Sequence, residues 1–266
     1  MSSIDFCDGW VLVTGASSGI GREFAVQLAK LGARLVLAAR SRDRLVDLAD
    51  TLGTPVKVVV ADLSTRAGID RLLADVDALE LPIRHVVNNA GMGGAGHFAR
   101  MDPDAIEAMT TLNSLAPILI TRHFLPKLLE ARAGGFIQVA STSSFLPIPY
   151  MATYGATKAY VLSFSVALLE EIQSSGVRVL SLCPGSVPTE FQERAGYTLH
   201  GPQSRSAISA EQVVREGLAA YVRGEEVLVP GRINALQMFA QRFVSLPLKA
   251  KAAALVMRRS GRDKVS

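Results

Sequence analysis

Cysteine is almost missing from this chain. Cys7 and Cys183 are the only two in 266 residues, too few for a disulfide framework or a thiolate metal site. His85, His97, His123 and His200 are scattered without ligand spacing, so no metal is expected. A reducing, cytoplasmic setting is the expectation. No apolar run is long enough to span a membrane. The opening Met1-Ser-Ser-Ile-Asp5 carries an acid and lacks the basic-then-apolar layout of a secretory leader. Aromatic residues are few as well, 6% against 49% hydrophobic residues overall. That Ala/Val/Leu-rich balance belongs to parallel strands packed between helices. The length suits one sizeable core, and neither an internal repeat nor a Gly/Ser-rich linker divides it.

Acidic residues are missing from one region in particular. From Arg232 onward eight Lys/Arg face a single acid, Asp263, a local charge of +7 within a chain of net +4. The preceding body is therefore about −3 by subtraction, so nucleic-acid binding by the whole domain is not expected.

What is present begins with Trp10-Val-Leu-Val-Thr14, a short apolar run, followed at once by Gly15-Ala-Ser-Ser-Gly19-Ile-Gly21. Phe24, Ala25, Leu28, Ala29 and Leu31 then recur at helical spacing. Strand, glycine turn and helix form the setting in which a backbone can approach a pyrophosphate at a helix N-terminus. Further strand and helix patterns alternate. Strands are expected at 33–39, 56–61, 83–87, 136–140, 177–182 and 226–229, and helices at 42–52, 67–79, 103–132 and 210–222. Pro117 should bend the long helix. Polar or glycine-rich clusters fall where strands end: Gly15 to Gly21, Arg40, Asp62-Leu63, Asn88 to Gly91, Ser141 to Ser144 and Pro184 to Thr189. In open parallel sheets that edge is where ligands bind.

Tyr154 and Lys158 lie one helical turn apart and so share a helix face. A lysine charge beside a phenol favours the phenolate and lowers its pKa from about 10. Of the five tyrosines only Tyr154 has lysine four places on.

On these residues the chain resembles the short-chain dehydrogenase/reductase family over roughly residues 8 to 231. Thr14-Gly15-x-x-x-Gly19-Ile-Gly21 matches its nucleotide motif, Asn88-Asn89-Ala90-Gly91 its NNAG element, and Tyr154-x-x-x-Lys158 its catalytic pair. Pro184-Gly185-Ser-Val187-Pro-Thr189 resembles the loop that holds the nicotinamide amide. The resemblance implies an α/β fold, a single-domain Rossmann-type doubly wound parallel sheet, here with a helical tail from 232 to 266. It also implies Asn113, Ser141, Tyr154 and Lys158 as the catalytic set. Tyr154 would be the general acid or base, Lys158 would also hold the nicotinamide ribose, Ser141 would bond the substrate oxygen, and Asn113 would organise a water. Cofactor contacts are implied for Gly15, Ser17, Ser18, Gly19, Ile20, Gly21, Asp62, Leu63, Asn89, Ala90, Gly91, Tyr154, Lys158, Pro184, Gly185, Val187 and Thr189.

An NAD enzyme would show an acid at the end of the second strand, where this chain has Ala39 and then Arg40. NADP(H) is therefore favoured over NAD(H), with Arg40 on the 2′-phosphate. Phe145-Leu-Pro-Ile-Pro-Tyr150 and the start of the segment from Phe191 to Leu199 suggest a lipophilic carbonyl or alcohol substrate, and 190–208 a mobile lid. In the tail, Ile233, Leu236, Phe239, Ala240, Phe243 and Val244 recur at helical spacing beside basic residues. Packing on its own subunit or a homodimer or homotetramer contact is the preferred reading there, a cover over the substrate site is an open alternative, and peripheral membrane contact is the lesser one. A rival from another class is a catalytically silent dinucleotide-sensing protein, which would be expected to lack a member of the catalytic set.

Overall fold

Alternation along each strand decides which side chains go to which layer. In β1 (Trp10–Thr14), Val11 and Val13 face one side of the sheet and Trp10 and Leu12 the other. A computed structural model describes residues 6–196, 204 and 206–259 of the chain. It contains β2 (Arg34–Ala39), β3 (Val56–Val60), β4 (Ile83–Asn88), β5 (Gly135–Val139), β6 (Arg178–Leu182) and β7 (Val227–Leu228). All pair in parallel, in the order β3-β2-β1-β4-β5-β6-β7.

Helices α1 (Gly19–Lys30), α2 (Arg42–Thr51) and α3 (Arg66–Asp77) connect the first four strands. After β4 come α4 (Pro103–Thr110) and α5 (Ala116–Ala131), after β5 comes α6 (Ala152–Glu171), and α7 (Glu190–Arg194) and α8 (Ala210–Arg223) follow β6. Two tail helices close the described chain, α9 (Arg232–Ala240) and α10 (Leu246–Arg259). One layer packs Phe24, Leu28, Leu45, Val213 and Leu218 on Val11, Val13, Leu35 and Leu37. The other packs Ile69, Leu72, Phe124, Leu128 and Leu168 on Leu12, Val36, Val86 and Phe136. Each such side chain contributes about 1.5–3 kcal/mol when fully buried. The fold is the doubly wound parallel sheet that the alternating pattern implies.

Two elements differ from expectation. The long helix is interrupted by a wide, π-type turn at Thr111–Leu115, just before Pro117. Proline has no N–H for the carbonyl four residues back, that of Asn113, and its ring crowds it; the wide turn absorbs both effects and holds Asn113 buried. The last strand is two residues, pairing only at Ser181 with Val227 and Leu182 with Leu228, because Pro230 cannot donate to a ladder. Of the expected lid at 190–208, residues 197–203 and 205 lie outside the described residues; α7 forms its start.

Strand order reverses between β1 and β4, the switch point at which such sheets open a crevice beyond their carboxyl ends. No helix among the described residues is long and apolar enough to cross a membrane.

Candidate active site

The crevice is a cleft of about 850 Å³. Every residue expected at the site lines it except Gly21 and Asn113, which lie just behind its wall. The floor is built where the ends of β1 and β4 meet. Gly15 (φ +67°) and Gly19 (φ +54°) take left-handed backbone that favours glycine. A Cβ on Gly15 would stand 2.8 Å from the Ala90 Cα, and one on Gly21 2.2 Å from the Gly15 carbonyl oxygen and 2.4 Å from Asn89 Nδ2. Asn89 explains the close approach. Its backbone N–H donates to Thr14 Oγ1 (3.0 Å) and its Nδ2 to the Thr14 carbonyl (3.0 Å), tying β4 to the turn after β1. The first turn of α1 holds no acid and Ser18 gives it no side-chain cap. Its N–H groups therefore stay open beside Ser18, Gly19 and Ile20 in the cleft wall. Bare backbone at a helix N-terminus fits a pyrophosphate.

Arg40 and Asp62 stand in the cleft lining after β2 and β3, 3.9 Å apart and both exposed. Burial opposes ionisation of Asp62, but hydrogen bonds from Ser64 and the charge of Arg40 outweigh it and hold the carboxyl below its ordinary range. Asp62 does not cap the next helix; Thr65 does, accepting from the Gly68 N–H. Sequence reasoning missed Arg44 and Arg194, which also line the cleft. Both pair with Glu190, Arg44 at 2.9 Å, joining α2 to α7 across the cleft. No local pattern marks a pair 146 residues apart.

At the inner end α6 brings Tyr154 and Lys158 onto the wall, both buried. Lys158 Nζ donates to the Val139 carbonyl (2.8 Å). Burial pulls its ammonium down to about 8. Burial also pushes the neighbouring Cys183 thiol up to about 12, which keeps it neutral. Ser141, at the end of β5, accepts from the Ser143 N–H (3.1 Å). Asn113 accepts from the Met92 N–H (2.9 Å) and donates to the Met92 carbonyl (2.8 Å) and Thr157 Oγ1 (3.1 Å). A Cβ on Gly91 would lie 3.2 Å from Asn113 Oδ1 and 3.4 Å from Lys158 Nζ, so glycine there lets the two flank one backbone. The Tyr154 and Phe191 rings lie 5.6 Å apart.

The outer wall comes from the tail. Lys249 Nζ donates to the Phe145 carbonyl (3.3 Å) and Arg258 Nε to Tyr150 Oη (2.9 Å), both on the segment leading into α6. Met257 packs with Met109, Ile148, Met151 and Tyr154, and Ala253 is buried in the cleft wall. Asn234 is buried, donating to the Ser206 and Pro230 carbonyls (both 3.2 Å), and lies against Gly185. The sequence signal for Asn234 was a polar residue amid the apolar spacing of α9.

A family model described as short chain dehydrogenase matches residues 9–199. An uncharacterized oxidoreductase of Staphylococcus epidermidis is 37% identical over 182 residues, 68% of this chain and 79% of the relative. The very-long-chain 3-oxoacyl-CoA reductase of Rattus norvegicus is 30% identical over 237 residues, 85% of this chain and 75% of the relative. Among solved structures, a short-chain dehydrogenase from Sphingobium yanoikuyae in complex with NADPH is 33% identical with a TM-score of 0.76, covering 87% of this chain and 93% of that one.

Proposed function

Because this chain belongs to the short-chain dehydrogenase/reductase family, and is thus an oxidoreductase of CH–OH and C=O groups, we propose that it uses NADP(H) to interconvert a lipophilic ketone and its secondary alcohol. The observation that carries the reading is the convergence of Ser141, Tyr154 and Lys158 on the inner end of one cleft, with Asn113 just behind its wall beside Gly91 and Lys158. When bound, the nicotinamide supplies or accepts the hydride. Tyr154 delivers the proton to the carbonyl oxygen in reduction and its phenolate removes it in oxidation. The Lys158 charge favours that phenolate, and the same ammonium holds the nicotinamide ribose. Ser141 bonds the substrate oxygen as charge develops on it. The Asn113 side chain is engaged with Met92 and Thr157, so its backbone carbonyl, to which Pro117 offers no N–H, would be the group that holds a water leading to Lys158.

Gly15 to Gly21, Asn89 to Gly91 and Pro184 to Thr189 hold the dinucleotide. Arg40 after β2, with no acid at Ala39, supports the 2′-phosphate and hence NADP(H), as does the NADPH-bound relative. Met92, Leu146, Ile148, Met151 and Met257 give the substrate end its apolar lining, which supports a lipophilic substrate; the rat relative is named for acyl-chain substrates. Residues 1–231 carry binding and catalysis in this reading, and the tail from 232 adds the outer wall. A homodimer or homotetramer in the cytoplasm is part of the proposal, supported by Tyr160 and Val166 standing exposed on α6. The test is an NADPH-fluorescence titration followed by a panel of bulky ketones and alcohols read by NADPH absorbance. Binding followed by turnover is expected; binding without turnover across the panel would favour the dinucleotide sensor.

A further inference from the structure

The helices that roof the cleft have their polarity reversed. On α9 and the turn after it, Asn234, Met238 and Gln241 line the cleft, while Ile233, Leu236 and Phe239 stand exposed. Leu236 is 68% exposed, Phe243 81% and Leu246 63%, and Leu248 and Leu255 continue the pattern along α10. A helix normally buries its apolar stripe. Here the inner face is already committed to the cleft, so the outer stripe lacks the partner that exposed apolar patches of this kind imply. Cations are set among these side chains. The Arg242 guanidinium lies 5.8 Å from the Phe239 ring centroid, and Arg232, Lys251 and Arg258 are exposed. Residues 232 to 259 hold six Lys/Arg and no acid.

We propose that this face lies on an anionic lipid surface, with Leu236, Phe239, Phe243 and Leu246 in the acyl boundary and the cations among the headgroups. Charge selects the occupant. The tail is basic while the body before it is net acidic, so an anionic surface attracts the roof and turns the rest away. A second copy seated on the same face by two-fold symmetry would set this acid-free, basic stretch against itself. The contact is peripheral, since no helix among the described residues is long and apolar enough to span. Because the inner sides of these helices line the cleft, a lipophilic ketone would leave the bilayer beside the site. That consequence rests on the substrate reading above, whereas lipid binding does not.

The test sediments the full chain with vesicles of phosphatidylcholine alone, or of phosphatidylcholine and phosphatidylglycerol in a two-to-one ratio. Binding to the anionic vesicles only, weakened by salt, is expected. Phe243→Ser/Leu246→Ser should lower partitioning by about a hundredfold with NADPH binding unchanged, since each side chain removes about a tenfold apolar contribution. Arg242→Glu/Lys251→Glu leaves the apolar groups in place and should lower it by at least about tenfold. The proposal is overturned if the protein does not pellet, if either variant pellets like the wild type, or if salt has no effect. Light scattering that gives an oligomer which the serine variant reduces to monomer, without vesicle binding, assigns the face to a second copy and overturns it as well.

Discussion

Lys158 should make the folded protein less stable than it could be, and the deficit should shrink as pH rises. The ammonium is buried, and its pKa falls from the ordinary 10.5 to about 8 because burial penalises the charge. Between those values the unfolded chain holds more proton than the folded one, so stability rises with pH through that window. At about 1.4 kcal/mol per pH unit, the wild type should gain about 2 to 3 kcal/mol between about pH 7 and pH 10 from this group. Lys158→Met removes the titration but also the bond to the Val139 carbonyl, and an unpaired buried acceptor costs about 1–3 kcal/mol. The absolute gap between the two proteins is therefore small, and the informative quantity is its change with pH. Urea unfolding of both cofactor-free proteins at the two pH values measures it. A gap that moves in favour of the wild type by about 2 to 3 kcal/mol on going to pH 10 is expected. A constant gap, or one moving the other way, would refute a desolvated ammonium at this position.

Gly21→Ala should weaken NADPH at least about tenfold and lower the melting temperature, because its Cβ meets the Gly15 carbonyl and Asn89 at 2.2 and 2.4 Å and overpacking costs about 1–3 kcal/mol. Gly155→Ala is the contrast: its nearest neighbour would be 3.8 Å away, so activity should persist with up to about 1 kcal/mol of added stability; equal behaviour of the two variants would contradict the cradle. Arg40→Asp should raise the NADPH Michaelis constant by about 10- to 100-fold, the worth of a charge-assisted bond, with little effect on NADH. Steady-state kinetics with both cofactors checks this, and equal effects on the two would remove Arg40 from the 2′-phosphate.

Much of the fold was legible because its signals are local. The continuous apolar runs of β1 and β2, buried along nearly their whole length, the glycines at Gly15 and Gly19 and the helical spacing after Gly21 each depend on residues within a turn or two. The candidate site was legible for a related reason: in a parallel sheet every strand delivers its carboxyl end to one edge, so Asn89, Ser141 and Pro184 could be gathered without coordinates. Features set by long-range placement were not. The Arg44–Glu190 pair spans the cleft from distant segments, and Asn234 meets Gly185 only once the tail folds back. Pro117 announced a distortion, but its form, a wide turn centred on Asn113, depends on packing. In the tail the apolar spacing identified a face and said nothing of its direction; the structure turns that face outward because the other side closes the cleft.

The central claim is that Tyr154 transfers the proton at a site whose cofactor end stands independently of it. Tyr154→Phe, titrated with NADPH and then followed through one turnover of a ketone that the wild type reduces, tests this most directly. The account predicts unchanged NADPH affinity and a rate lower by at least about a hundredfold, the scale of a lost general acid. A variant that binds NADPH and still reduces the ketone at close to the wild-type rate would contradict it.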